Sequence, residues 1–73
     1  MNNADNELPR LKGWLSKDPG GEVFFHYQQP RWEVQSEDSA WWGSDDREFE
    51  IFDCPIDIEV ENPIEVELLF RAI

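Results

Sequence analysis

Helical periodicity is missing from this chain of 73 residues. No stretch repeats apolar residues at three- and four-residue intervals long enough for an amphipathic helix. Cysteine is nearly absent too. Cys54 stands alone, which excludes an internal disulfide and points to a reducing, cytosolic compartment. With one Cys and one His, the chain lacks the ligands for a structural zinc site. It contains no P-loop, dinucleotide fingerprint, GxSxG or HExxH. No apolar run approaches the roughly 20 residues that span a bilayer. The opening "MNNADNELPR" is polar and acidic, unlike a signal peptide. Residues 1–9 are therefore expected to form a loose tail before a single domain over 10–73.

Positive charge is also scarce. Six Lys and Arg face seventeen Asp and Glu, for a formal charge of −11. The imbalance is lopsided: residues 1–36 carry net −1, and residues 37–73 carry net −10. Such a surface repels phosphates, so direct binding of nucleic acid or an anionic membrane is excluded. A basic protein partner is favoured, with plain solubilisation as the blander role. Disorder does not fit, because the aromatic content is too high. A domain this small buries only about 60% of the surface its unfolded chain exposes. Four Trp, five Phe and one Tyr supply the volume to compensate.

What is present reads as strands. "LKGWLSKDPGGEVFFHYQ" holds two strand-forming runs around Asp18-Pro19-Gly20-Gly21. Pro19 suits the first central position of a turn, and Gly20 a positive φ at the second. A hairpin over residues 11–17 and 22–28 is predicted. Its second arm is apolar on both faces, as a central strand would be. The stretch from Pro30 to Asp46 mixes aromatics with turn formers. It predicts a partly ordered loop with a short strand at Trp32–Val34 and a helical turn near Ser39–Trp42. "REFEIF" alternates and predicts a strand, ended by Asp53-Cys54-Pro55.

"IDIEVENPIEVELLF" alternates apolar and acidic residues twice, across Asn62-Pro63. Two strands are predicted, over 56–60 and 64–68. A two-residue loop between them would set apolar residues against carboxylates, because directly opposite residues share a face. A three-residue loop would set Glu59 opposite Glu65 and Asp57 opposite Glu67, at about 0.2–1 kcal/mol for each like-charge pair. Pairing of each segment with other strands is therefore favoured. The fold class is all-β: four to five short strands in a twisted sheet or small, partly open barrel, with little or no helix.

No catalytic, cofactor or metal site emerges. His26 lies mid-strand among aromatics and reads as a structural or surface residue, and nothing in the sequence brings Cys54 to it. Asp45, Asp46 and Glu48 are hard ligands of the kind Ca²⁺ takes, but no glycine-punctuated loop frames them. Two binding surfaces remain. Asp57, Glu59, Glu61, Glu65 and Glu67 would meet a basic partner. At about 6.6 Å between same-face strand residues, they approach the phosphate spacing of one DNA strand. Trp32, Trp41 and Trp42 would instead stack on a peptide, sugar or base. Adjacent Trp41 and Trp42 cannot both point inward from a strand, so at least one is expected at the surface. A bare structural part in a larger assembly is the third reading. The apolar end "VELLFRAI" leaves Leu69 on the acidic side of its strand. It predicts a homodimer through that edge.

Together, "GWLSKDPGGEVFFH", "PRW", "WW" and "PIEVEL" resemble a loose group of short proteins encoded by bacteriophages and other mobile elements. In that group a GW…D…G hairpin opens the chain, a tryptophan lies mid-chain and a P-x-x-V-x-L strand closes it. The resemblance spans roughly residues 13–68. This chain departs from it in the doubled Trp41-Trp42 and in the density of acids from Asp45 on. The group implies no activity, cofactor or catalytic residue. It implies a small accessory protein of the host cytosol.

Overall fold

The computed structural model describes residues 9–70 and 72. The expected tail lies outside them, apart from Pro9. The chain is all-β, with six strands: β1 (Arg10–Lys17), β2 (Val23–His26), β3 (Arg31–Ser36), β4 (Ser39–Gly43), β5 (Glu48–Ile51) and β6 (Ile64–Leu69). Four form one antiparallel sheet in the order β5-β2-β1-β6, and β3 and β4 form a separate hairpin. Neither sheet closes into a barrel. Among the described residues there is no helix, and so none long and apolar enough to cross a membrane.

The β1–β2 hairpin forms where the turn chemistry puts it. Its loop differs in one detail. The Gly21 N–H donates to the Asp18 carbonyl and the Asp18 N–H to the Glu22 carbonyl, and positive φ falls on Gly21 rather than Gly20. This is the three-residue loop in which a type I turn is followed by a left-handed glycine. Pro19-Gly20 makes the turn, and Gly21 returns the chain to the ladder. The doubly apolar β2 is central, flanked by β1 and β5.

Register sorts the side chains of the large sheet onto two faces. Leu11, Leu15, Val23, Phe25, Ile51, Ile64, Val66 and Leu68 share one. Trp14, Ser16, Phe24, His26, Glu48, Glu65 and Glu67 share the other. On the apolar face the Phe25 ring stacks on Phe49 with centroids 5.1 Å apart and meets Tyr27 edge-on. The same ring lies across Gly13, where any Cβ would collide with Phe25 and the His26 carbonyl. Glycine in this strand is a packing requirement.

Two expectations are corrected here. Residues 56–60 are not a strand: no strand lies between Ile51 and Ile64. Instead the chain turns at Asp53, in the left-handed region that Asp tolerates, and crosses from edge strand β5 to edge strand β6. Ile58 drops from this crossover onto Leu15 and Phe25 and completes the buried core. Cys54 packs against the same cluster. The crossover must span the width of the sheet, which a strand in the ladder could not do. Its alternation has another purpose: Ile58 faces the sheet while Asp57 and Glu59 face solvent. The second correction is Ser39–Trp42, which lies in β4 and forms no helical turn. It pairs with β3 across Glu37-Asp38, with a bulge between Val34 and Ser36. Strand β6 does pair elsewhere, with β1. Glu67 there meets Lys12 and Glu65 meets Trp14, so no carboxylate opposes another.

The crossover account separates two isoleucines that alternation alone treats alike. Ile58→Ala should cost about 2–5 kcal/mol, as a buried truncation does. Ile56, which is exposed, should tolerate alanine within about 0.5 kcal/mol. Urea unfolding of the two variants checks this; equal losses would return 56–60 to a conventional strand.

Candidate functional site

The polar and aromatic residues of interest fall into three groups, one buried and two at the surface. The first is a buried polar network on the polar face of the sheet. His26 and Ser16 sit diagonally across β1 and β2, and both are 0% exposed. The Ser16 Oγ lies 2.7 Å from His26 Nε2. His26 Nδ1 lies 3.2 Å from both Ser44 Oγ and Glu48 Oε1. A carboxylate only accepts, so Nδ1–H donates to Glu48 and Nε2 accepts from the Ser16 hydroxyl. Burial pushes the His26 imidazole below its ordinary value, against the opposing pull of the Glu48 and Asp18 carboxylates.

This is the order of groups in a Ser-His-acid triad. Yet the Ser16 hydroxyl is wholly enclosed, and no carbonyl could reach it. The arrangement binds β1, β2, β5 and the segment after β4 to one another. The structural reading of His26 fits this geometry. Ser16 and Ser44 were missed, although the β1–β2 register places Ser16 beside His26. Cys54 belongs to the opposite, apolar face.

The second group is on the β3–β4 hairpin. Trp32 and Trp42 lie opposite each other, with ring centroids 5.2 Å apart at 62°. Trp41 points to the other side of the hairpin, opposite Glu33, and is 38% exposed. The three tryptophans therefore form no single patch. Trp42 is held at two points: its backbone N–H donates to Asp18 Oδ1 at 3.0 Å, and its indole Nε1–H to the Val60 carbonyl at 2.6 Å. At the hairpin base Arg31 makes a bidentate pair with Asp45, at 2.8 and 3.0 Å. That hydrogen bonding, with the guanidinium charge, holds the Asp45 carboxyl below its usual range. Asp46 takes Arg47, and Glu48 takes His26. The three hard ligands near residue 45 each have their own partner. No group of three or more metal-ligating residues assembles among the described residues.

The third group is the acids themselves. Asp57, Glu59, Glu61, Glu65 and Glu67 are all exposed. No Lys or Arg among the described residues forms an ion pair with any of them. They do not make one row. Asp57 and Glu59 flank Ile58 on the crossover, Glu65 and Glu67 share the polar sheet face with Lys12, and Glu61 stands apart. The structure brings Glu61 instead to Trp32 and Trp42, in a cleft completed by Pro19 and Val60. Asp18, Glu22, Glu37 and Asp38 line the next cleft, and sequence reasoning missed all four. They belong to the tips of two successive hairpins that lie in different sheets. Nothing local marks them as neighbours.

These features define a small all-β protein with an acidic, partly aromatic surface. No family model matches the chain, and no curated protein or solved structure proved similar to it.

The His26 network sets a pH dependence. An imidazole with a lowered folded-state value binds fewer protons than the unfolded chain as pH falls through about 6.5. Its stability contribution should be complete above that pH and decline below it, before most carboxylates titrate. Urea midpoints from pH 7.5 down to 5.5 should fall in the native chain and flatten in His26→Gln. A flat native profile would contradict the account.

Proposed function

We propose that this protein is a non-enzymatic interaction protein that binds a basic surface on a protein partner. The observation that carries the reading is the set of exposed carboxylates on the crossover and β6 that pair with no Lys or Arg among the described residues. Among the described Lys and Arg only Arg31 and Arg47 are committed to acids, and those acids are Asp45, Glu33 and Asp46. The remaining negative field is open to a partner, where it steers association and sets specificity. Regular strand spacing extends over Glu65 and Glu67 alone, so the proposal rests on charge rather than on imitation of a phosphate backbone. The resemblance to short mobile-element proteins makes a cytosolic host protein the expected partner.

A second copy of the chain is the further proposed partner, through β6. That strand is a sheet edge, and Leu69 at its end is 67% exposed. The two associations respond to salt with opposite sign. Screening weakens the pull on a basic partner, and it relieves repulsion between two copies of charge −11.

One salt series from about 0.01 M to about 1 M tests both. A basic protein captured on the immobilised chain should elute as salt rises. Its capture should fall when Asp57, Glu59, Glu65 and Glu67 become amides. The mass by light scattering should rise from 8.7 kDa toward twice that value. Capture indifferent to salt would sink the first reading, and a constant single mass the second.

A further inference from the structure

Two clefts meet at Trp32 and Pro19. One, of about 390 Å³, is walled by Pro19, Trp32, Trp42 and Val60, with Glu61 contributing the only charge. The other, of about 480 Å³, carries the carboxylates of Asp18, Glu22, Glu37 and Asp38. We propose that together they seat two cationic side chains of an extended basic peptide segment, with an arginine guanidinium in the tryptophan slot. The inference rests on the reading of the protein as a binder of basic partners, and it names the place and the chemistry.

The slot is suited to a cation by its walls. Trp42 has its indole N–H engaged by the Val60 carbonyl and its backbone N–H by Asp18. Its ring is thus held in place and offers a ligand only its π surface. Trp32, 44% exposed, stands nearly edge-on to it. An indole face attracts cations through its quadrupole, most strongly when water is displaced. Glu61 adds a full negative charge at the same opening. An apolar ligand would fill the slot but leave that carboxylate desolvated. An anion would be repelled by all five acids of the paired clefts.

Arginine fits better than lysine. The guanidinium is planar, weakly hydrated and stacks on aromatic faces, while still reaching a carboxylate with its N–H fork. An ammonium is compact and strongly hydrated, and loses more on entering an apolar slot. The second cleft is different in kind. It has more carboxylates and one aromatic wall, so either cation suits it. Because the clefts share Trp32 and Pro19, their occupants are near neighbours. Alternate residues of an extended peptide, about 6.6–6.8 Å apart on one side, are spaced for that. The ligand class is therefore an Arg-x-Arg or Arg-x-Lys segment, presented extended on a protein surface.

The test uses the full chain, labelled with ¹⁵N, and three peptides: acetyl-Ala-Arg-Ala-Arg-Ala-amide, its lysine counterpart and its citrulline counterpart. Citrulline keeps the shape of arginine and removes the charge. The arginine peptide should move the indole N–H signals of Trp32 and Trp42 and leave Trp14 in place. It should bind more tightly than the lysine peptide, and the citrulline peptide should bind at least about tenfold more weakly, given desolvated cation–aromatic and carboxylate contacts. Trp32→Ala and, separately, Glu61→Gln should each weaken the arginine peptide severalfold. Both residues lie at the surface, and unchanged backbone spectra would show the fold intact. Equal binding of citrulline and arginine, or full binding by Trp32→Ala, overturns the slot. No binding of the arginine peptide, with salt-sensitive capture of a basic protein retained by the native chain, would overturn the slot alone. Loss of that capture in the native chain would remove the wider reading as well.

Discussion

Ile58 on Phe25 is the contact on which the rest of the molecule depends. A four-stranded sheet with one apolar face must cover that face, and the described residues include no helix to do it. The cover is an irregular crossover whose single buried side chain meets Leu15 and Phe25 at the centre of the sheet. Phe25 in turn requires Gly13 beneath it and stacks on Phe49 beside it. Once the crossover is pinned there, Asp57 and Glu59 are obliged to face outward. Val60 reaches the Trp42 indole, and Glu61 arrives at the tryptophan slot. The acids of the crossover are the outer side of the core's own lid.

The polar face is closed by a second and different device. His26 and Ser16 would be costly to bury alone, since unpaired polar groups lose their hydration without return. Ser44, arriving from the end of β4, and Glu48 on β5 satisfy the imidazole. This ties the β3–β4 hairpin to the main sheet at the same end where Asp18 holds Trp42. Two anchors at one end position the Trp32–Trp42 pair over the β1–β2 turn. The hairpin tip acids, Glu37 and Asp38, are thereby brought to Asp18 and Glu22. Fold and candidate binding surface share the same hydrogen bonds.

Local chemistry made part of this legible. Asp18-Pro19-Gly20-Gly21 marked the first hairpin, and clean alternation marked β5 and β6. The cost of facing carboxylates in the three-residue-loop register, and of carboxylates facing apolar residues in the two-residue one, correctly argued against pairing 64–68 with 56–60. The adjacency of Trp41 and Trp42 put at least one of them at the surface, and Trp41 is the exposed one. Alternation misled at 56–60, where a crossover that buries every second residue once has the same pattern as a strand. It gave no warning at Ser39–Trp42, whose strand state comes from pairing with β3. The meeting of Glu61 with Trp32, and of the two hairpin tips, depends on tertiary placement. No spacing in the chain encodes it.

The central claim is that residues 52–63 cover the apolar face from outside the ladder. Amide hydrogen exchange read residue by residue tests it most directly, since ladder amides open only with the sheet while crossover amides remain near solvent. The amides of Asp57, Glu59 and Val60 should exchange far faster than those of Leu15, Phe25 and Val66, while Ile58 methyl protons show dipolar contacts to the Phe25 ring. Slow exchange throughout 56–60, with cross-strand contacts from Ile58 to Val66 in a paired ladder, would contradict the account.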